Sequence, residues 1–346
     1  MTHDDYMKRC LELAQKGRGD VAPNPMVGSV LVYQGRIIGE GYHQRYGEAH
    51  AEVNCINSVR NEDQGLISQS VLYVSLEPCA HFGKTPPCAD LIIRYKIPHV
   101  VIACRDPFEE VDGKGIERLK AAGIKVELGI LEKEAVELNK RFFTFHALYR
   151  PYIILKWAKT ADGKIAGKGS ERLLISNELT NRLVHKWRSE ESSVLVGTKT
   201  ALADNPALTN RLWTGASPIR IVIDRHLKLS GSLQLFDNSV KTIIFNTIKH
   251  EEKENYIFYK LKDETSLLSE IMHALYGLKI QSVIVEGGPA LQQSFIKEGL
   301  WDEARVITNT EMFIEEGLSA PLLSNESLID SYSLLTDSIQ IFKRQA

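Results

Sequence analysis

The sequence has no surplus of positive charge. Its 346 residues carry 42 basic and 44 acidic side chains, a formal net charge of −2. Divided at residue 146, the first part holds 18 basic against 20 acidic residues and the second 24 against 24. Proteins that grip phosphate backbones carry a clustered basic excess, so nucleic acid is not an expected partner. No stretch approaches the ~20 apolar residues of a membrane span. The amino terminus, charged from its fourth residue, has no apolar core of signal-peptide length. No membrane contact is expected, and the expected compartment is the cytoplasm. Cysteine is scarce and odd in number: five, of which Cys10, Cys55, Cys79 and Cys88 fall early in the chain. That usage fits thiols kept reduced for packing or metal better than a disulfide framework. A G-x-G-x-x-G following an apolar strand is missing, which disfavours a Rossmann dinucleotide site. Internal repeats and low-complexity tracts are missing too.

What is there is an ordinary globular composition, 43% hydrophobic and 25% charged. At this length a single hydrophobic core seldom keeps growing, so two domains are expected. Tyr6, Cys10, Leu13 and Ala14 recur at helical spacing. The run PNPMVGSVLVYQGRIIGEGYH reads as a hairpin turning at Gln34-Gly35. A helical stretch over 50–60 precedes a buried strand in SVLYVSLEPC. ADLIIRYKI, HVVIACRDP, GIERLKAAGI and KVELGIL then alternate helix with strand, as in a layered α/β domain. Composition shifts around FHALYRPYIILKWAKTADGKIA, where Arg150-Pro151 ends a helix and a strand begins at Tyr152. The boundary is placed at 146–151, giving domains 1–146 and 147–346. The second half has the same α/β alternation, and its final segment carries little pattern.

The stretch EPCAHFGKTPPC, residues 77–88, fixes two cysteines nine positions apart around a proline-rich loop. Each could be a small buried hydrophobe. A third metal donor stands 29 residues before Cys79, in GEAHAEVNCI, where His50 and Glu52 open a helix. An ion off the helix end can meet both side chains there, although residues two apart share no face further along. Cys88 adjoins the apolar helix ADLIIRYKI, whose amino-terminal dipole favours the thiolate that zinc needs. His50, Cys79 and Cys88 make three protein ligands, the catalytic rather than the structural zinc arrangement. Zinc acidifies water from a pKa of ~16 to ~7, and Glu52 is placed to shuttle the proton to a leaving amine. Hydrolytic deamination of an amidine-like ring carbon is the chemistry these parts suit. Should His81 supply a fourth ligand, the site would instead be a closed structural one in a binding module.

His-x-Glu followed by Pro-Cys is the signature of the zinc nucleobase deaminases, in which only two residues ordinarily separate the cysteines. Here eight, AHFGKTPP, intervene. With APNPMVGSVLV upstream and DPFEEVDGKGIERLKAAGI downstream, residues 4 to about 146 closely resemble one branch. It is the pyrimidine deaminase domain of the bifunctional riboflavin-biosynthesis deaminase/reductases. The resemblance implies that Asn24 holds the pyrimidine or ribose of a small phosphorylated substrate, and that Lys84 and Thr85 contact its phosphate. Turn chemistry at Asn24-Pro25 and Thr85-Pro86 is the alternative. A deaminase acting on a flipped nucleic-acid base is the competing reading within this chemistry.

In the second half SVIVEGGPALQQSFIKEGL joins a buried strand, Glu286, two glycines and a helix. Gly287 and Gly288 could let amides approach a phosphate or simply serve a tight turn. KWAKTADGKIA, VLVGTKTALADNPALTNR, PIRIVID and VEGGPALQQSF follow the order of the reductase domain of the same family, which resembles dihydrofolate reductase in fold and uses NADPH. By that likeness Ala158, Thr200, Asp204 and the run Gly288, Pro289, Ala290, Leu291, Gln292, Gln293 and Ser294 line the NADPH site. Arg188, Arg211 and Glu286 would bind the phosphorylated substrate. The chain departs from the pattern at Arg172 and Leu174, where a Ser-x-Trp is common, and at Arg225, where a small hydroxyl residue is common. A degenerate reductase half is therefore the alternative. The expected architecture is two three-layer α/β domains, cytidine-deaminase-like and then dihydrofolate-reductase-like, and a homo-oligomer is expected.

Overall fold

The computed structural model describes residues 1–82, 86–168, 173–262 and 266–345. Lys84, Thr85 and Arg172 lie outside the described residues. The chain divides into two compact units, Met1–Tyr149 and Arg150–Ala346.

In the first unit helix α1 (His3–Gln15) opens on a capping box. The Thr2 hydroxyl accepts the Asp5 N–H, and the Asp5 carboxylate accepts the Thr2 N–H. Strands β1 (Gly28–Tyr33) and β2 (Arg36–Tyr42) pair antiparallel. Gln34 and Gly35 between them both have positive φ, the backbone a two-residue hairpin turn requires. There follow α2 (Ala51–Asn57), β3 (Val71–Val74), α3 (Cys88–Arg94), β4 (His99–Ile102), α4 (Lys114–Ala121), β5 (Lys125–Leu128), α5 (Glu132–Leu138) and α6 (Lys140–Leu148). The sheet order is β2-β1-β3-β4-β5, with β3, β4 and β5 parallel. Side-chain alternation along β1 separates two cores. Leu31 packs with Cys55, Ile56, Ile92 and Leu119 beneath α2, α3 and α4. Val30 and Val32 pack with Tyr6, Met7, Cys10 and Phe142 beneath α1 and α6. Helices thus cover both faces, the three-layer arrangement.

The second unit runs β6 (Tyr152–Thr160), β7 (Lys164–Gly167), α7 (Glu178–Glu190), β8 (Ser193–Gly197), α8 (Thr198–Asp204), β9 (Ile219–Ile223), β10 (Thr242–Asn246), β11 (Glu251–Glu252), β12 (Tyr256–Lys260), α9 (Leu267–Gly277), β13 (Ser282–Val285), α10 (Pro289–Lys297), β14 (Glu303–Asn309), β15 (Gly317–Ser319), β16 (Glu326–Leu334) and β17 (Asp337–Arg344). One sheet has the order β11-β12-β10-β9-β8-β13-β6-β14-β17-β16 and is parallel from β12 to β14. Phe295, Leu268 and Ile271 of α9 and α10 bury one face, and Val184, Trp187 and Ala201 of α7 and α8 the other. Strand β13 enters between β8 and β6, so the chain reverses its direction of travel across the sheet there. Ligand crevices of open α/β sheets form at the carboxyl ends of strands at such a reversal. The patternless final segment forms β16 and β17, an antiparallel extension of the sheet.

One side chain ties the first unit's ends together. Asn139, buried at the α5–α6 junction, donates through Nδ2 to the Met26 carbonyl and accepts the Met26 N–H on Oδ1, both at 2.8 Å. Asn139→Ala leaves both backbone groups unpaired in a dry site, so a loss of about 2–4 kcal/mol is expected. A lowered urea midpoint of the full chain would register it.

Candidate active site

His50 occupies the position just before α2 and makes no cap hydrogen bond there. Its Nδ1 instead faces two sulfurs, Cys79 Sγ at 3.6 Å and Cys88 Sγ at 3.3 Å. Donor atoms of His50, Cys79 and Cys88 all lie within 4.8 Å of one another. Cys88, first residue of α3, donates its amide to Cys79 Sγ at 3.3 Å. That bond, the Cys88 thiol and His50 together draw the Cys79 thiol well below its ordinary pKa, with the Cys88 thiol the largest contributor. Cys88, beside a ready thiolate and buried, holds its proton longer. One imidazole nitrogen and two sulfurs converging on one point fit zinc, with three protein ligands and a fourth position left open. Glu52, 3% exposed, lies next to them, and burial raises its pKa. The structure therefore brings together all four residues of the predicted zinc-and-acid set.

Asn24 and His43 form the adjoining wall. The Asn24 amide donates to His43 Nε2 at 3.1 Å, and His43 Nδ1 bonds the Ala49 carbonyl at 3.1 Å. Acting as acceptor at Nε2 and donor at Nδ1 fixes a neutral imidazole, and burial lowers the pKa in the same sense. The ring meets His50 edge-on at 5.4 Å. His43 escaped the sequence reading; its only signal is its place at the end of the hairpin, in GYH, seven residues before His50.

A second residue missed is Glu77. Its buried carboxylate accepts four backbone N–H groups: Asp106 (3.3 Å), Gly113 (3.0 Å), Gly115 (2.9 Å) and Ile116 (3.1 Å). Those donors belong to the loop and first turn of α4, so Glu77 clamps that helix to the turn that delivers Cys79. The fit leaves no space at Gly115, where a Cβ would meet the Pro78 carbonyl oxygen at 1.9 Å.

In the second unit Ala158 lies on β6, Thr200 on α8 just after β8, and Glu286 and residues 288–294 just after β13. Gly287 is required by close approach, since a Cβ would lie 2.8 Å from the Gly197 nitrogen. Gly288 gives its amide to Thr200 Oγ1 at 2.8 Å, so that N–H is already engaged. Gln292 is buried and donates to the Lys156 and Val285 carbonyls. Gln293 exchanges two bonds with the Leu322 backbone, and Ser294 bonds the Ala290 carbonyl within α10. Ala158 is half-buried on β6, Asp204 is exposed at the end of α8, and Leu174 is 70% exposed. Arg225 presents its carbonyl to Thr247.

Arg188 and Glu286 form a two-pronged ion pair, Nε to Oε1 at 2.8 Å and Nη2 to Oε2 at 2.7 Å. Burial alone would raise the Glu286 pKa, but the charges of Arg188 and Lys156 outweigh it and hold the carboxylate at about 2. Arg188 also donates to the Thr209 carbonyl, and His185, one turn earlier, accepts the Arg211 amide at 2.9 Å. Arg211 reaches Thr209 Oγ1 at 2.7 Å and is otherwise exposed. Arg188, Arg211 and Glu286 are thus one cluster, in which Arg188 is largely spent on bracing its neighbours.

Residues 1–104 match the family described as the cytidine and deoxycytidylate deaminase zinc-binding region, and residues 151–312 match the RibD C-terminal domain. The chain is 40% identical to the riboflavin biosynthesis protein RibD of Aquifex aeolicus, over 97% of this chain and 94% of the relative. Among solved structures it is similar to a Thermotoga maritima diaminohydroxyphosphoribosylaminopyrimidine deaminase/5-amino-6-(5-phosphoribosylamino)uracil reductase, at TM-score 0.87 and 37% identity over 99% of both chains. A likeness to Acinetobacter baumannii RibD has TM-score 0.90 at 29% identity, again over 99% of both.

Two outcomes are expected from this geometry. Gly115→Ala forces Pro78 and α4 apart, costing about 2–4 kcal/mol and weakening zinc retention roughly 10–100-fold; zinc content after dialysis against a chelator measures the second effect. For the Arg188–Glu286 pair, the folded pKa of Glu286 lies below its ordinary 4.5, so its stabilisation is present above that pH and fades as pH falls toward 2. Arg188→Met leaves a buried carboxylate short of its main partner, costing about 3–5 kcal/mol at neutral pH. Its Glu286 pKa then rises, so the variant loses stability as pH climbs above 4.5, where the parent chain does not. Denaturation midpoints between acidic and neutral pH separate the two profiles.

Proposed function

The chain belongs to the RibD family of riboflavin biosynthesis proteins, and from that premise we propose that it catalyses two consecutive steps with its two halves. The first half, residues 1–146, deaminates the diaminohydroxyphosphoribosylaminopyrimidine hydrolytically to 5-amino-6-(5-phosphoribosylamino)uracil. The second, residues 147–346, reduces the ribosyl side chain of that product to ribityl. The observation that carries this reading is the convergence of His50, Cys79 and Cys88 beside buried Glu52.

When bound by His50, Cys79 and Cys88, zinc supplies Lewis acidity that brings water's pKa from ~16 to ~7. Glu52 takes a proton from the attacking water and returns it to the amine that departs as ammonia, leaving a carbonyl where the ring carbon bore nitrogen. Its raised pKa suits a group that must both accept and release a proton near neutrality. Asn24, oriented by its bond to His43, presents its remaining amide groups to the pyrimidine edge.

For the reduction we propose NADPH, which when bound would supply the hydride that reduces the open-chain form of the sugar. Ala158, Thr200, Asp204 and residues 288–294 would hold it. Their support is position, around the strand ends where the sheet order reverses and the amino terminus of α10 begins. Glu286, kept ionised by Arg188, would accept hydrogen bonds from substrate hydroxyls, and the exposed Arg211 would meet its phosphate.

Glu52→Gln tests both halves in one preparation. Ammonia release should fall about 10²–10⁴-fold with zinc content unchanged, and NADPH consumption from the diaminopyrimidine should fall with it. Supplied instead with the deaminated uracil, the same variant should oxidise NADPH at the parent rate. Undiminished ammonia release would remove Glu52 from the proton path.

A further inference from the structure

Three residues from one turn of α7 reach the same short segment of the second unit. His185 Nδ1 accepts the Arg211 N–H at 2.9 Å, and Arg188 Nη1 donates to the Thr209 carbonyl at 3.2 Å. Lys186 Nζ stands over the Trp213 ring, 5.6 Å from its centre. Residues 209–213 form neither helix nor strand. Asn210 curls them into a loop: its side chain accepts the Trp213 N–H at 3.2 Å and donates to the carbonyls of Trp213 and Gly215 at 2.9 and 3.1 Å. The loop is folded on itself, and α7 decides where it sits. Of the three contacts, the Lys186–Trp213 pair involves an exposed ring and is weak, and Arg188 is shared with Glu286. His185 is buried. Because its Nδ1 accepts, the ring is neutral and carries its proton on Nε2. Burial, followed by the charges of Arg188 and Arg211, lowers its pKa to about 4, so that form persists at neutral pH. An apolar ring would fill the same space, but it would leave the Arg211 backbone without its acceptor. At its tip Arg211 is held only by Nη1 on Thr209 Oγ1, at 2.7 Å.

We infer that His185 is a positioning residue for phosphate recognition in the reductase half, its Nδ1 fixing the Arg211 backbone so that the guanidinium is aligned for the ester. In this role His185 touches neither substrate nor cofactor and acts through Arg211. The inference rests on the reductase reading above, in which Arg211 meets the substrate phosphate. A guanidinium–phosphate contact depends on direction as well as charge, so a loop free to turn would keep the charge and lose the contact.

The test uses the full chain and follows NADPH oxidation with two substrates, 5-amino-6-(5-phosphoribosylamino)uracil and its dephosphorylated ribosyl counterpart. His185→Phe keeps a buried ring and removes the acceptor; the freed N–H belongs to an exposed residue and can turn to water, so the fold is retained. KM for the phosphorylated substrate should rise about three- to tenfold, with kcat and the KM of the dephosphorylated substrate near parent values. His185→Asn, whose amide oxygen can stand where Nδ1 stood, should restore the parent KM. Trypsin cleavage after Arg211 should quicken in His185→Phe and return to the parent rate in His185→Asn. Parent-like KM for His185→Phe, an equal rise for both substrates, or unchanged cleavage would overturn the positioning role and leave the reductase reading standing. No NADPH oxidation by the parent chain with the phosphorylated uracil would overturn both together.

Discussion

The candidate zinc site depends on a carboxylate that does not face it. Glu77 draws four backbone N–H groups from the segment 106–116 onto its two oxygens, and its own amide donates to the Cys104 carbonyl. A buried carboxylate without such donors would carry a severe desolvation cost, so the clamp holds only if all the pieces are in place. With them in place the turn Pro78-Cys79 has one position relative to α4, and the sulfur of Cys79 has one position relative to His50. Gly115 belongs to the same constraint because the Pro78 carbonyl occupies the space where its side chain would be. Loss of groups that orient metal ligands typically costs about 10–100-fold in metal affinity.

The reductase half follows a related rule with different parts. Many polar side chains that a motif would offer to a ligand are already committed to the protein. Gln292 pins α10 to two strand-end carbonyls, Thr200 receives an amide from Gly288, and Arg188 braces both Glu286 and the 209–211 segment. What remains open is Arg211 and the first turn of α10. Were these residues to hold ligand as proposed, the site would be preorganised, because its charged groups are already aligned.

The chemistry of the first half was legible in the sequence because it is local. His50 and Glu52 stand two apart, Cys79 follows a proline at a strand end, and Cys88 opens a helix. Glu77, Gly115 and His43 were not legible, since their roles arise only when α4 or the hairpin end folds against a distant loop. The pairing of Arg188 with Glu286, 98 residues apart, likewise needs the sheet to exist. The layered α/β character was readable from alternating patterns. The β16–β17 extension was not, because β16 is exposed along most of its length and so lacks the apolar alternation that marks a half-buried strand.

Strand β13 fills the gap between β6 and β8, although it is made after both of them and after β9, β10 and β12 as well. Until Ser282–Val285 is available, β8 cannot join β6, and the sheet has two halves with unpaired inner edges. Pairings so distant along the chain are slow to form. The strand that closes the sheet is also the one that delivers Glu286, Gly287 and the start of α10. The closure of the sheet and the placing of the residues proposed for the reducing site are therefore tied to the same strand.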